Sequence, residues 1–221
     1  MTPPVQADAR IGAVRLYLIT DSTPCVSPLE DFLEQAVAGG VGMVQLREKR
    51  LSDSELLDVA RRCARACARL RIPFILNDRV DICLAAKADG VHLGQDDLPV
   101  ESARALLGKG RIVGLSTHSR EQIDAARRLA VDYIGVGPIF ETPTKPGRSA
   151  VGAELIEHAA ANAGLPFFAI GGLEPDTIAG VVRAGGTRAS VLRWIAQAED
   201  PRAAAAAMLA AMDAEGPALR S

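Results

Sequence analysis

Short apolar runs alternate with longer amphipathic stretches along almost the whole chain. This is the pattern of β/α units wound around a parallel sheet. Eight runs predict strands: Leu16 to Thr20, Met43 to Arg47, Phe74 to Asn77, Gly90 to Gly94, Ile112 to Ser116, Tyr133 to Gly137, Phe167 to Gly171 and Ala189 to Leu192. Several are apolar without a break, as strands covered on both faces are. Between them the spacing predicts helices over Leu29 to Ala38, Asp53 to Leu70, Val80 to Ala86, Val100 to Leu107, Arg120 to Leu129, Ala153 to Ala163, Pro175 to Ala184 and Pro201 to Ala214. Ser52 three residues before Glu55 reads as a capping box, and Gly39, Gly108, Gly164 and Gly185 sit where helices should stop.

Eight such units imply a closed (β/α)₈ TIM barrel, an α/β fold in a single domain. The expected division is an extension over 1–14, the barrel over 15–214 and a tail over 215–221. An open doubly wound sheet is the alternative, but no G-x-G-x-x-G follows the first strand. A chain of 221 residues is long enough to bury the core a barrel needs.

Composition narrows the function classes. The apolar fraction of 48% with 24% charged residues is that of a soluble globular protein rather than a disordered or fibrous one. A net charge of -2 argues against a general nucleic-acid binder, so any phosphate binding must be local. Cys25, Cys63, Cys67 and Cys83 form no CxxC pair, and Cys63 and Cys67 read as small apolar core residues. No apolar run reaches the roughly 18 residues of a membrane helix, and the first ten residues lack a signal core. The expectation is a cytoplasmic protein with reduced thiols and no membrane partner; whether it forms a homo-oligomer is left open.

In such a barrel chemistry collects where the strands end. Strand two ends in Gln45-Leu46-Arg47-Glu48-Lys49, strand three in Asn77-Asp78-Arg79 and strand four in His92-Leu93-Gly94-Gln95-Asp96-Asp97. Strand five ends in Ser116-Thr117-His118, strand six runs into Thr142-Pro143-Thr144-Lys145, and strand seven into Gly171-Gly172. Each fragment alone has a bland reading as a solvated cluster, a turn or backbone punctuation. Six successive strand ends carrying cations, carboxylates, hydroxyls and glycines make a site able to hold a highly charged anion and a metal. His92 reads as structural, His158 as a surface residue and His118 as ambiguous. Glu48 and Arg79 either touch substrate or form supporting ion pairs.

The ordered set Gln-Leu-Arg-Glu-Lys, Asn-Asp-Arg, Asp-Gly-Val-His-Leu-Gly-Gln-Asp-Asp, Gly-Leu-Ser-Thr-His, Asp-Tyr-Ile-Gly-Val-Gly-Pro-Ile-Phe, Thr-Pro-Thr-Lys and Ala-Ile-Gly-Gly resembles the thiamine phosphate synthase family from Tyr17 to about Ile195. The resemblance implies a transferase that condenses 4-amino-2-methyl-5-(diphosphooxymethyl)pyrimidine with hydroxyethylthiazole phosphate, or its carboxylated precursor. The products are thiamine phosphate and pyrophosphate. It further implies that Gln45, Leu46, Arg47, Glu48, Lys49, Asn77, Ser116 and Lys145 bind the pyrimidine diphosphate, with Arg47, Lys49, Ser116 and Lys145 catalytic. Asp78 and Asp97 would hold Mg²⁺, and Thr142, Pro143, Thr144, Gly172, Leu192 and Arg193 would bind the thiazole phosphate. Arg193 and Trp194 depart from the smaller residues common in the family, and a tryptophan there is expected to pack the start of the final helix.

Two rivals are weighed against this. A thiazole tautomerase on the same barrel could use His118 as acid or base but needs no diphosphate machinery, whereas Gln45, Arg47, Lys49, Asn77, Asp78, Asp97 and Lys145 are all retained here. A non-catalytic phosphate sensor would not need acidic metal ligands beside three cations.

Overall fold

A computed structural model describes residues 9–26, 28–141 and 150–215. Among them eight strands close into one barrel in chain order: β1 Leu16–Thr20, β2 Met43–Leu46, β3 Phe74–Asn77, β4 Gly90–Leu93, β5 Ile112–Thr117, β6 Tyr133–Val136, β7 Phe167–Ile170 and β8 Ala189–Val191. Every neighbouring pair is parallel, and closure is made by β1 on β8, with Leu16 opposite Ala189 and Leu18 opposite Val191. The helices are α1 Ala9–Gly12, α2 Leu29–Ala38, α3 Asp53–Leu70, α4 Val80–Ala86, α5 Val100–Leu107, α6 Arg120–Ala126, α7 Ala153–Asn162, α8 Ile178–Arg183, α9 Arg193–Ala196 and α10 Pro201–Glu215. None of the described helices is long and apolar enough to cross a membrane.

The local signals act as expected at most ends. Ser52 caps α3 through the reciprocal box with Glu55. Gly108, Gly164 and Gly185 have positive φ, but α2 ends on a right-handed Gly39 and it is Gly40 that turns left-handed, at φ 106°. The helix expected from Pro175 starts only at Ile178, because Thr177 Oγ1 accepts from Glu174 N at 2.9 Å and folds the intervening residues into a turn.

The core has two shells. Outward-facing strand residues such as Leu18, Val44, Leu46, Leu76, Val113 and Val136 pack under the helices. Inside the barrel Tyr17, Met43, Ile75, Ile112, Tyr133 and Phe168 form a separate cluster, closed at the N-terminal end by Ile11 and Val14. Residues 9–14 are therefore part of the barrel's packing rather than a mere extension. Arg188 donates to Gly12 O at 3.0 Å and Arg10 pairs with Asp89 at 2.9 Å, which ties α1 across the barrel floor. All four cysteines are free; burial pushes the Cys63 thiol up to about 12 and the Cys83 thiol up to about 11, in keeping with inert core residues.

Candidate active site

Strand residues alternate in and out, so the residue two beyond each member of the inner cluster also faces the barrel axis, one layer nearer the C-terminal mouth. That layer holds Ile19, Gln45, Asn77, Gly135 and Ile170, and with His92, Ser116 and Ser190 it floors a cleft open at the mouth. Gln45 is 1% exposed and donates from Nε2 to the Tyr17 hydroxyl at 2.5 Å. His92, expected to be structural, also lines the cleft, with Nδ1 3.0 Å from the Tyr133 hydroxyl and Nε2 2.9 Å from Ser116 Oγ.

A second, polar cleft adjoins the first and shares Arg47, Asn77, Ser116 and His118 with it, so the two make one groove. At its far end Lys49 Nζ meets Asp78 Oδ2 at 2.5 Å. Asp78 has φ 60°, a left-handed conformation that Asp tolerates better than most residues, and its N–H is held by His92 O at 2.8 Å. Gly94 N donates to Asp97 Oδ2 at 2.7 Å. Burial raises the pKa of the Asp97 carboxyl, and its contact with Asp78 adds to the rise.

The remaining strand ends divide the expected residues. The Leu46 side chain is fully buried in the outer shell, on the helix side of the sheet, so only its backbone can face the groove. Glu48 also turns away: Oε2 accepts from Ser22 Oγ at 2.6 Å, and Oε1 accepts from Lys49 N at 2.7 Å and Arg50 N at 2.8 Å. Burial opposes its ionisation, but these donors outweigh it and bring the carboxyl down to about 2. Arg79 is held by Asp53 and Asp81, at 2.6 and 2.7 Å, as a structural cation at the start of α4.

Opposite the carboxylates, Gly171 at φ 102° and Gly172 at φ 65° bend the chain after β7, and Leu192, Arg193 and Trp194 face them across the first cleft. A Cβ on Gly172 would lie 2.8 Å from Phe140 Cβ, so the glycine permits both the turn and the close approach. Trp194 donates from Nε1 to Ala204 O at 2.9 Å and so anchors α9 to α10, the packing role expected of it. His118 lines both clefts, with Nδ1 2.5 Å from Gly137 O, next to the cis Gly137–Pro138 bond. His158 lies on α7, pairs with Asp124 at 2.9 Å and lines neither cleft. Thr142, Pro143, Thr144 and Lys145 lie outside the described residues.

A family model described as thiamine monophosphate synthase matches residues 16–195, from the first residue of β1 through the end of the groove. The chain belongs to the thiamine monophosphate synthase family. A thiamine-phosphate synthase of Nostoc punctiforme is 47% identical over 190 residues, covering 85% of this chain and 52% of that protein. One of Saccharopolyspora erythraea is 47% identical over 208 residues, covering 90% and 93%. The chain thus spans about half the length of the first relative and nearly all of the second. The solved thiamine phosphate pyrophosphorylase from Pyrococcus furiosus superposes with a TM-score of 0.81 at 29% identity, over 91% of this chain and 96% of that one.

The magnesium that resemblance to the thiamine monophosphate synthase family implies can be tested against the donors present. Two carboxylates, Asp78 and Asp97, approach each other in a partly buried setting, which calls for positive charge beside them, and Lys49 against Asp78 supplies part of it. No set of three or more His, Cys, Asp or Glu side chains able to hold a metal occurs among the described residues. A hard ion that keeps water and takes its other ligands from a diphosphate suits two carboxylates and no full cage, so the residues fit Mg²⁺.

Proposed function

We propose that this chain joins a pyrimidinylmethyl diphosphate to a thiazole phosphate and releases pyrophosphate, giving thiamine phosphate. The observation that supports this reading best is the continuity of the groove. Lys49, Arg47 and the Asp78–Asp97 pair lie at one end, and the neutral pocket of Gln45, Asn77 and Ser116 adjoins them through shared walls.

The division suits the bond changes. The C–O bond to the diphosphate breaks with its electron pair leaving on oxygen, and the thiazole nitrogen lone pair forms the new C–N bond. Negative charge grows on the leaving group, and Arg47, Lys49 and Lys145 neutralise it. Asp78 and Asp97 would hold Mg²⁺, which when bound supplies further positive charge against the diphosphate oxygens. Gln45, Asn77 and Ser116 orient the pyrimidine by hydrogen bonds, and the buried floor keeps water from the developing cation. Gly172, Leu192, Arg193 and the Thr142–Pro143–Thr144 segment receive the thiazole phosphate. No covalent enzyme intermediate is needed, and positioning carries much of the rate.

Mixing both phosphorylated substrates with the protein and magnesium should yield thiamine phosphate and one pyrophosphate per turnover, by chromatography and phosphate release. Failure to form the C–N bond with folded protein, magnesium and both substrates present would refute the reading.

A further inference from the structure

Beneath the groove runs a continuous line of polar atoms inside the barrel: Gln45 Nε2 to Tyr17 OH at 2.5 Å, Tyr17 OH to Tyr133 OH at 2.8 Å, Tyr133 OH to His92 Nδ1 at 3.0 Å, and His92 Nε2 to Ser116 Oγ at 2.9 Å. It crosses the barrel from β2 to β5, and its two ends are groove residues. Burial keeps both phenols protonated, so each must place its proton on a partner.

The line has a direction. Tyr17 OH accepts from the Gln45 amide nitrogen; a fully buried hydroxyl that donated to nothing would carry a large penalty, so it donates to Tyr133. Tyr133 in turn donates to His92 Nδ1. With Nδ1 accepting, His92 carries its proton on Nε2 and donates to Ser116 Oγ. Ser116 is left with its own proton for the groove, while Gln45 is left with its carbonyl oxygen. The two ends therefore present opposite polarity: an acceptor on β2 and a donor on β5. Reversing the line would reverse both.

We infer that Tyr17 and Tyr133 are positioning residues that fix the His92 tautomer and thereby the hydrogen-bond polarity of Gln45 and Ser116 toward an aminopyrimidine. The inference rests on the proposed function for its ligand. An aminopyrimidine suits the setting because its exocyclic amine donates while a ring nitrogen on the opposite side accepts. Neither phenol lines the groove, and both act through Gln45 and His92.

The test uses Tyr133→Phe and Tyr17→Phe. Phe keeps the ring that packs edge-on at 5.3–5.8 Å between Tyr17, Tyr133 and Phe168 and fills the space over Gly114, so folding is retained. The chain has three histidines, which makes His92 separable in a ¹⁵N–¹H long-range correlation spectrum. The wild type should show His92 protonated at Nε2, and each variant should show mixed tautomers. The KM for the pyrimidine diphosphate should rise about tenfold in either variant, the KM for the thiazole phosphate should stay within about twofold, and the double variant should be no worse than the singles. A wild-type His92 protonated at Nδ1 would overturn the direction. Unchanged tautomer and KM in Tyr133→Phe, or equal weakening of both substrates in step with a lower Tm, would overturn the positioning role. The spectrum, and calorimetric titration with the pyrimidine diphosphate, read the line of bonds even in a protein that forms no thiamine phosphate, so the two readings fail separately.

Discussion

Glu48 sits beside the groove's cations in sequence yet closes onto Ser22, whose hydroxyl donates to its Oε2 at 2.6 Å. Its other oxygen holds the N–H groups of Lys49 and Arg50, so one carboxylate, its side chain 2% exposed, sets the path of the loop that carries Arg47 and Lys49.

Replacing Glu48 by Gln should therefore lower stability by about 1–3 kcal/mol through lost charged hydrogen bonds, and raise the KM for the diphosphate substrate more than it lowers kcat. The carboxyl is depressed from 4.5 to about 2. Its stabilisation is thus fully present above the unfolded value and lost as pH falls toward the folded one. The difference in denaturation free energy between wild type and Glu48→Gln should shrink between about pH 5 and about pH 2. A gap that stayed constant over that window would show that Glu48 is not held as an ion.

Asp78→Asn and Asp97→Asn should each lower turnover by about a hundredfold, with wild-type activity abolished by EDTA and restored by magnesium. Melting curves should show both variants folded. Full turnover of either variant in the presence of chelator would remove the metal role from these carboxylates.

Gly172→Ala should weaken thiazole phosphate binding by about tenfold and pyrimidine diphosphate binding by less than about twofold. The cause is specific: at φ 65° the new Cβ lies 2.8 Å from Phe140 Cβ and 3.2 Å from Glu141 O, so the chain before residues 142–149 must move. Separate calorimetric titrations of the two substrates measure the contrast. Equal losses for both would place Gly172 outside the thiazole phosphate site.

At the opposite end of the barrel, Asp132 accepts from Arg104 at 2.8 Å and from Val113 N at 2.7 Å, with 6% of its surface exposed. Asp132→Ala leaves the guanidinium of Arg104 with backbone carbonyls alone and Val113 N without its acceptor, and should cost about 1–3 kcal/mol of stability. Since the pair is remote from the mouth, kcat at a temperature where the variant is folded should be unchanged. Urea denaturation and steady-state rates on the same preparation decide between a structural and a catalytic effect.

The strand and helix order was legible because each β/α unit carries its own periodicity and end signals, as at Ser52 and Gly108. What sequence could not supply was which face of an apolar strand looks inward. In Tyr133–Val136 and Gly90–Leu93 both faces are buried, so no alternation marks the axis side, and His92 read as structural although it floors the groove. Leu46 enters the binding set through the motif that carries the resemblance, and its side chain packs under the helices. Stepping by two from Tyr17, Met43, Ile75 and Phe168 would have been the available clue, since it reaches Ile19, Gln45, Asn77 and Ile170. Sequence leaves Glu48 between substrate contact and support because its partner, Ser22, is 26 residues away and belongs to another strand's loop. Helices α1 and α9 are four residues each, too short to leave a period.

The inner cluster, with Ile11 and Val14 beneath it, fills the barrel under the groove, so among the described residues the groove opens toward the C-terminal mouth. A ligand resting against Gln45 and Ser116 is therefore reached from the same side as one beside Gly172 and Arg193.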